Sequence, residues 1–187
     1  PPAAVNRPTP LFTSANLGVG WAPVAGANSP EPGTRIAWYA LSLAVNPLNP
    51  AMVIAGSTDL FRTTDGGATP WTRIMDWTRY DNGDHAQHAD HHATVFEPGS
   101  TRVWVCNDGG MSTTDNIGAA APIWRKRSYG VVAAQLFDIT SHRTFPGLCG
   151  GGMQDNGTFV SYGGPSWYSV DGGDGGAMGW HPTSPYR

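Results

Sequence analysis

The stretch Thr63-Thr64-Asp65-Gly66-Gly67-Ala68-Thr69-Pro70-Trp71 holds the parts of one tight turn with an aromatic beneath it. An Asp caps its own turn by accepting nearby N–H groups, Gly allows positive φ, and a following Trp packs under the hairpin. Working outward, the arrangement recurs. Trp21, Trp71, Trp124 and Trp167 return every 43 to 53 residues, each after hydroxyl residues and a turn-forming stretch. The other segments are Leu11 to Trp21, Met111-Ser112-Thr113-Thr114-Asp115-Asn116 running on to Trp124, and Thr158 to Trp167. These copies are degraded. Asn16 stands in the Asp position, and Gly20 stands for Thr69. The third copy has an insertion between Asp115 and Trp124, and the fourth has Gly163 where an Asp is expected.

Short apolar runs alternate with these turns. Leu41-Ser42-Leu43-Ala44-Val45, Ala93-Thr94-Val95-Phe96 and Leu136-Phe137-Asp138-Ile139-Thr140 each lead toward a Pro-bearing turn. Met52-Val53-Ile54-Ala55, Val103-Trp104-Val105-Cys106 and Leu148-Cys149 follow. Each unit reads strand, turn, strand, loop, strand, turn, strand, which is the signature of a propeller blade. The expected fold is all-β, with β-propeller blades of four antiparallel strands, part of a larger ring. Whole blades are expected at 35–80, 90–130 and 133–172, with 1–30 ending one blade and 173–187 starting the next. The composition agrees: 25 Gly and 16 Pro in 187 residues far exceed the usual share of about 12%. The only alanine cluster, Ala119-Ala120-Ala121, is cut off by Pro122.

Charge and hydropathy exclude several classes. A net charge of −3 argues against a nucleic-acid binder, and no apolar run is long enough for a membrane-spanning helix. Pro1 to Pro10 lacks a charged-then-apolar leader, so a signal peptide is expected to be removed or to lie outside this chain. Cys106 and Cys149 form no disulfide framework or zinc motif; they read as two small buried residues, with a single disulfide as the alternative.

The Thr63–Trp71 turn resembles the Asp-box, or BNR repeat, Ser/Thr-x-Asp-x-Gly-x-Thr-Trp, with one Pro inserted before the Trp. The ordered series Asp90-His91-His92, Asn107-Asp108-Gly109-Gly110, Gln154-Asp155-Asn156-Gly157-Thr158 and Gly172-Gly173-Asp174-Gly175-Gly176 strengthens the likeness. Residues 40 to 187 are similar to secreted Asp-box propellers of the sortilin-like and xyloglucanase-like superfamily. That resemblance implies an extracellular or periplasmic location. It also implies an incomplete ring, closed by the rest of the propeller or by self-association; the alternative is that the two ends of the chain combine into a fourth blade. The superfamily includes sialidases, xyloglucan-cleaving glycosidases, assembly factors and peptide receptors, so the fold does not set the function.

Blade connectivity places the polar motifs. The loop into a first strand and the loop between second and third strands share one face, while the Asp-box turn lies on the other. The stretch Asp81 to His92 holds four of the six histidines and three Asp. His88, Asp90, His91 and His92 are candidate ligands of a divalent metal ion, a transition metal or calcium. Alternatively they form a hydrogen-bonded loop or a metal-free ligand site. Asp108, Asp155 and Asp174 are candidate catalytic carboxylates for glycoside cleavage, or calcium ligands. Their neighbouring glycines also suit plain turn chemistry. Trp38, Tyr39, Trp77 and Tyr80 are candidate sugar platforms, with Gln154 and Asn156 as polar ligand contacts; packing between blades is the other use of the aromatics.

Three functions compete. A binding module for glycans or a protein partner on a cell surface is favoured. A glycoside hydrolase and a metal-binding propeller are the alternatives. A sialidase fits least, because Phe61-Arg62-Thr63-Thr64 departs from the Phe-Arg-Ile-Pro segment of that family and the arginines do not gather in the rim loops.

Overall fold

The computed structural model describes residues 11–24, 39–79, 87–131 and 134–184. The fold is all-β and built of propeller-type blades. A short hairpin, β1 (Phe12–Thr13) and β2 (Ala22–Pro23), comes first. The first blade comprises β3 (Ser42–Val45), β4 (Val53–Gly56), β5 (Leu60–Thr63) and β6 (Thr72–Met75). The second comprises β7 (His91–Phe96), β8 (Val103–Asn107), β9 (Gly110–Thr114) and β10 (Arg125–Lys126). The third comprises β11 (Leu136–Ser141), β12 (Leu148–Met153), β13 (Gly157–Tyr162) and β14 (Tyr168–Asp171). In each sheet the spatial order follows the chain order, and every pairing is antiparallel. Among the described residues the only helical segment is a 3₁₀ turn, Trp77–Arg79. The chain forms two compact units, Pro1–Tyr129 and Gly130–Arg187.

In the first unit, strand alternation builds a core between two blades. Val103 and Val105 of β8 are fully buried while Trp104 between them is half-buried, the two-residue period of a strand. They join Ile54, Leu60, Met75, Phe96, Ile117 and Trp124 in one cluster. Polar bonds close the seam. Ser42 Oγ and Thr94 Oγ1 are 2.9 Å apart and buried, and the His91 N–H donates to the Ser57 carbonyl at 2.7 Å. The buried Arg62 guanidinium of β5 donates to the Ile117 and Ala119 carbonyls of the β9–β10 loop. These bonds matter because a buried polar group without a partner costs about 1–3 kcal/mol.

The outer turns share one pattern of hydrogen bonds. In the first blade Thr63 Oγ1 donates to Asp65 Oδ1 at 2.7 Å and accepts the Gly67 N–H at 2.9 Å. The β1–β2 turn repeats this with Ser14, Asn16 and Gly18. In the second blade Thr114 Oγ1 donates to Asn116 Oδ1 at 2.7 Å. The residue taking the Asp65 role there is thus Asn116, one position beyond the Asp115 that the spacing suggests. Asp115 instead pairs with Arg102 at 2.5 Å and Arg125 at 3.0 Å. In the third blade Ser161 Oγ donates to the Gly164 carbonyl and the turn holds no carboxylate. Cys106 and Cys149 are both free thiols, half-buried.

The second unit rests on glycine. Gly150, Gly151 and Gly152 lie buried in β12; the segment after β14 runs over Gly150 and Gly152, while Gly151 packs against Asp138 and Leu136 of β11. A Cβ on Gly152 would stand 2.1 Å from the Gly176 carbonyl oxygen, so no side chain fits. The Gly175 N–H donates to the Met153 carbonyl at 2.8 Å, and the Gly157 N–H to the Gly173 carbonyl at 2.7 Å.

Hydrogen bonds from the Thr69 and Thr63 hydroxyls hold the Asp65 carboxyl down to about 2. Its stabilising effect is therefore complete above the ordinary value of 3.8 and is lost as pH falls through about 2. Because Asn16 and Asn116 fill the same role with an amide oxygen, Asp65→Asn should melt close to the parent protein, and Asp65→Ala should melt clearly lower. Thermal scans at pH 7 check this, and equal melting temperatures for the two variants would refute the turn's role.

Candidate functional site

In the first unit the two ends of the blades are chemically different. The His91 N–H meets Ser57 of the β4–β5 turn, and His91 pairs with Asn107 beside the β8–β9 turn. The entry to β7 and both inner turns therefore occupy one end. The turns holding Asp65 and Asn116 lie at the far end of their strands.

At the inner end, a bulge shapes the site. His91 is opposite Asn107 and Ala93 is opposite Cys106, so His92 is the extra residue of β7. Bulges bend a strand locally and re-aim a side chain. His92 Nε2 lies 2.7 Å from Asp108 Oδ1, with side chains 35% and 13% exposed. The Tyr39 hydroxyl donates to the same carboxylate at 3.4 Å, and its ring meets the His92 ring edge-on at 4.8 Å. Phenol, imidazole and carboxylate thus form one partly exposed group.

The neighbouring residues support the turn that carries Asp108. Asn107 Oδ1 accepts the Gly109 N–H at 3.0 Å, and Asn107 Nδ2 donates to Gln87 Oε1 at 3.3 Å. His88 sits over Gly109, where a Cβ would come within 2.5 Å of its own, and its Nδ1 donates to the Ala89 carbonyl at 3.2 Å. Asp90 has φ 67°, a left-handed conformation, and carboxylate oxygens of Asp90 and Asp108 come within 4.8 Å.

The four candidate metal ligands do not converge. His92 is bonded to Asp108, His88 to the backbone, and His91 is fully buried. Among the described residues no coordinating group of three or more includes a histidine. Neither ring nitrogen of His91 has a hydrogen-bond partner among the described residues. Burial, with His88 and His92 nearby, pushes this imidazole down to about 3, so it is neutral at pH 7.

Asp59 belongs to the same end and was not singled out from the sequence. It lies between second and third strands, as Asp108 does, and that shared blade position was the available signal. Its carboxylate accepts the Trp77 N–H at 2.9 Å and pairs with Arg73 at 3.3 Å, while burial raises it above the ordinary value. Trp77 is half-exposed beside it. Trp38 and Tyr80 fall outside the described residues.

The second unit holds the other two candidate carboxylates. The Asp155 N–H donates to Asp174 Oδ1 at 3.0 Å, and Asp155 has φ 55° in the β12–β13 turn. The Gln154 N–H donates to the Gln135 carbonyl, and Asn156 Nδ2 to the Gln154 carbonyl at 2.8 Å. Asp174 and Asn156 thus support the turn.

No protein-family profile matches the chain, and no curated protein matches it in sequence. Among solved structures it is similar to a Niastella koreensis GH74 enzyme, at 16% identity and TM-score 0.45, over 87% of this chain and 32% of that one. It is also similar to YCF48 bound to a D1 peptide, at 14% identity and TM-score 0.25, over 86% of this chain and 60% of that one. The chain spans less than two thirds of either protein.

The buried His91 sets a pH dependence. Below the ordinary imidazole value of 6.5 the unfolded chain takes up a proton that the folded chain refuses until about 3. Stability should therefore fall as pH drops from 6.5 toward 3, by about 2 kcal/mol at pH 5. Urea unfolding at pH 7 and pH 5 measures this. A His91→Leu variant should lose most of that difference; an unchanged difference would clear His91 of responsibility.

Proposed function

We propose that this chain is part of an exported β-propeller that binds a glycan without cleaving it, at the end of the first two blades that carries Tyr39, His92 and Asp108. On this reading the Thr63–Trp71 turn is an Asp-box. The observation that supports the reading is the convergence of phenol, imidazole and carboxylate in one partly exposed group. A sugar offers hydroxyls to such a group and an apolar ring face to an aromatic.

The competing chemistries have less support. Glycoside cleavage needs two carboxyl groups on opposite sides of the scissile bond. Asp108 is engaged by two donors, and Asp174 caps the Asp155 turn. A transition-metal site needs imidazoles that converge, and these do not. The rest of the ring or a second copy of the chain would cover the apolar side chains that β3 and β11 expose, namely Leu43, Val45, Leu136, Phe137 and Ile139.

A glycan array paired with a polysaccharide hydrolysis screen tests the proposal. Bound oligosaccharide with no release of reducing ends is expected, and Tyr39→Ala and Asp108→Ala should each weaken binding about tenfold, or 1.4 kcal/mol. Release of reducing ends would move the assignment to a hydrolase, and an array with no glycan bound would overturn it.

A further inference from the structure

The contact between His92 and Asp108 carries more information than proximity. A carboxylate is an acceptor only, so the imidazole nitrogen facing it must bear the proton. That nitrogen is Nε2, at 2.7 Å from Asp108 Oδ1. A neutral imidazole with a proton on Nε2 has a bare lone pair on Nδ1. Nδ1 makes no hydrogen bond among the described residues, and the His92 side chain is 35% exposed. The Tyr39 hydroxyl gives its proton to the same carboxylate. The bulge at His92 and the edge-on Tyr39 ring restrain the imidazole.

We propose that Asp108 is a positioning residue that holds His92 in its Nε2–H form, making Nδ1 a fixed acceptor that selects neutral, hydroxyl-bearing ligands over anionic ones. This rests on the binding reading above. The group has already given its own donors to Asp108, so the ligand must bring the proton. Alcohols do so, whereas ionised carboxylates, sulfates and phosphates present acceptors only. By residue type His92 reads as a metal ligand and Asp108 as a catalytic acid; the geometry makes them one hydrogen-bonded pair.

The test begins without ligand. Long-range ¹H–¹⁵N correlation spectra of the whole chain at pH 8 report which His92 nitrogen is protonated. The expected result is Nε2–H in the parent protein and in Tyr39→Phe. Asp108→Asn, nearly the same shape, offers an amide donor that competes for Nε2, so it should shift His92 toward the Nδ1–H form. Nδ1–H in the parent protein, or an unchanged tautomer in a folded Asp108→Asn, would overturn the positioning role. The glycan array supplies the second arm. Its bound members should be neutral glycans, weakened about tenfold by Asp108→Asn; a uronic-acid or sulfated glycan bound at least as tightly would overturn the selectivity. An array with no glycan bound counts against both the binding reading and the selectivity, while the spectra decide the tautomer independently.

Discussion

The 2.7 Å hydrogen bond from the His91 N–H to the Ser57 carbonyl sets the register between the first two blades. It joins the first residue of β7 to the inner turn of the blade before it. Once that bond and the buried Ser42–Thr94 pair are made, β7 can slide neither up nor down along β3. A one-residue slip would turn every side chain of β7 to the opposite face. It would bring His92 into the seam and carry His91 out, separating the imidazole from Asp108. The polar group at the inner end is thus a by-product of blade-on-blade registration.

The same seam is under polar stress. Ser57 Oγ, Gln87 Nε2 and both His91 nitrogens are buried with no hydrogen-bond partner among the described residues. Native proteins leave few such atoms, because each costs about 1–3 kcal/mol. Leu60, Val103 and Val105, all fully buried in the same unit, supply the apolar contact that offsets this. Buried leucine and valine side chains contribute about 1.5–3 kcal/mol each. The polar atoms cluster at the end that also carries Tyr39, His92 and Asp108. Departures from local consistency of this kind gather at functional sites.

Much of the architecture was legible in the sequence, because hydroxyl–Asp–Gly–Trp turns and two-residue alternation are local signals. The all-β fold of four-stranded antiparallel sheets is the part that those signals carried. The third outer turn was misplaced by one residue: an amide oxygen substitutes for a carboxylate there, and residue type alone ranks Asp115 above Asn116. The site was less legible. Residue types brought His88, Asp90, His91 and His92 together as one ligand set, but a bulge and a left-handed Asp90 send these side chains to different environments. Neither feature has a strong local signature. The pairing of Tyr39 with Asp108 spans 69 positions and depends on packing between blades.

The glycine layer of the second unit gives that part of the molecule a different character. Where Gly175 and Gly176 cross Gly152, the surfaces that meet are peptide groups. Peptide groups do not titrate and carry no net charge. The contact at Gly152 therefore carries no titrating group of its own, although the neighbouring Asp174 carboxylate caps the Asp155 turn, whereas the seam of the first unit contains an imidazole and a guanidinium. Within one chain, acid would act directly on the junction made by side chains and only indirectly on the contact made by backbone. Variation between descendants of this sequence would be channelled accordingly, into the tips at Gln154 to Asn156 and away from the crossing itself, where even a methyl group has no room.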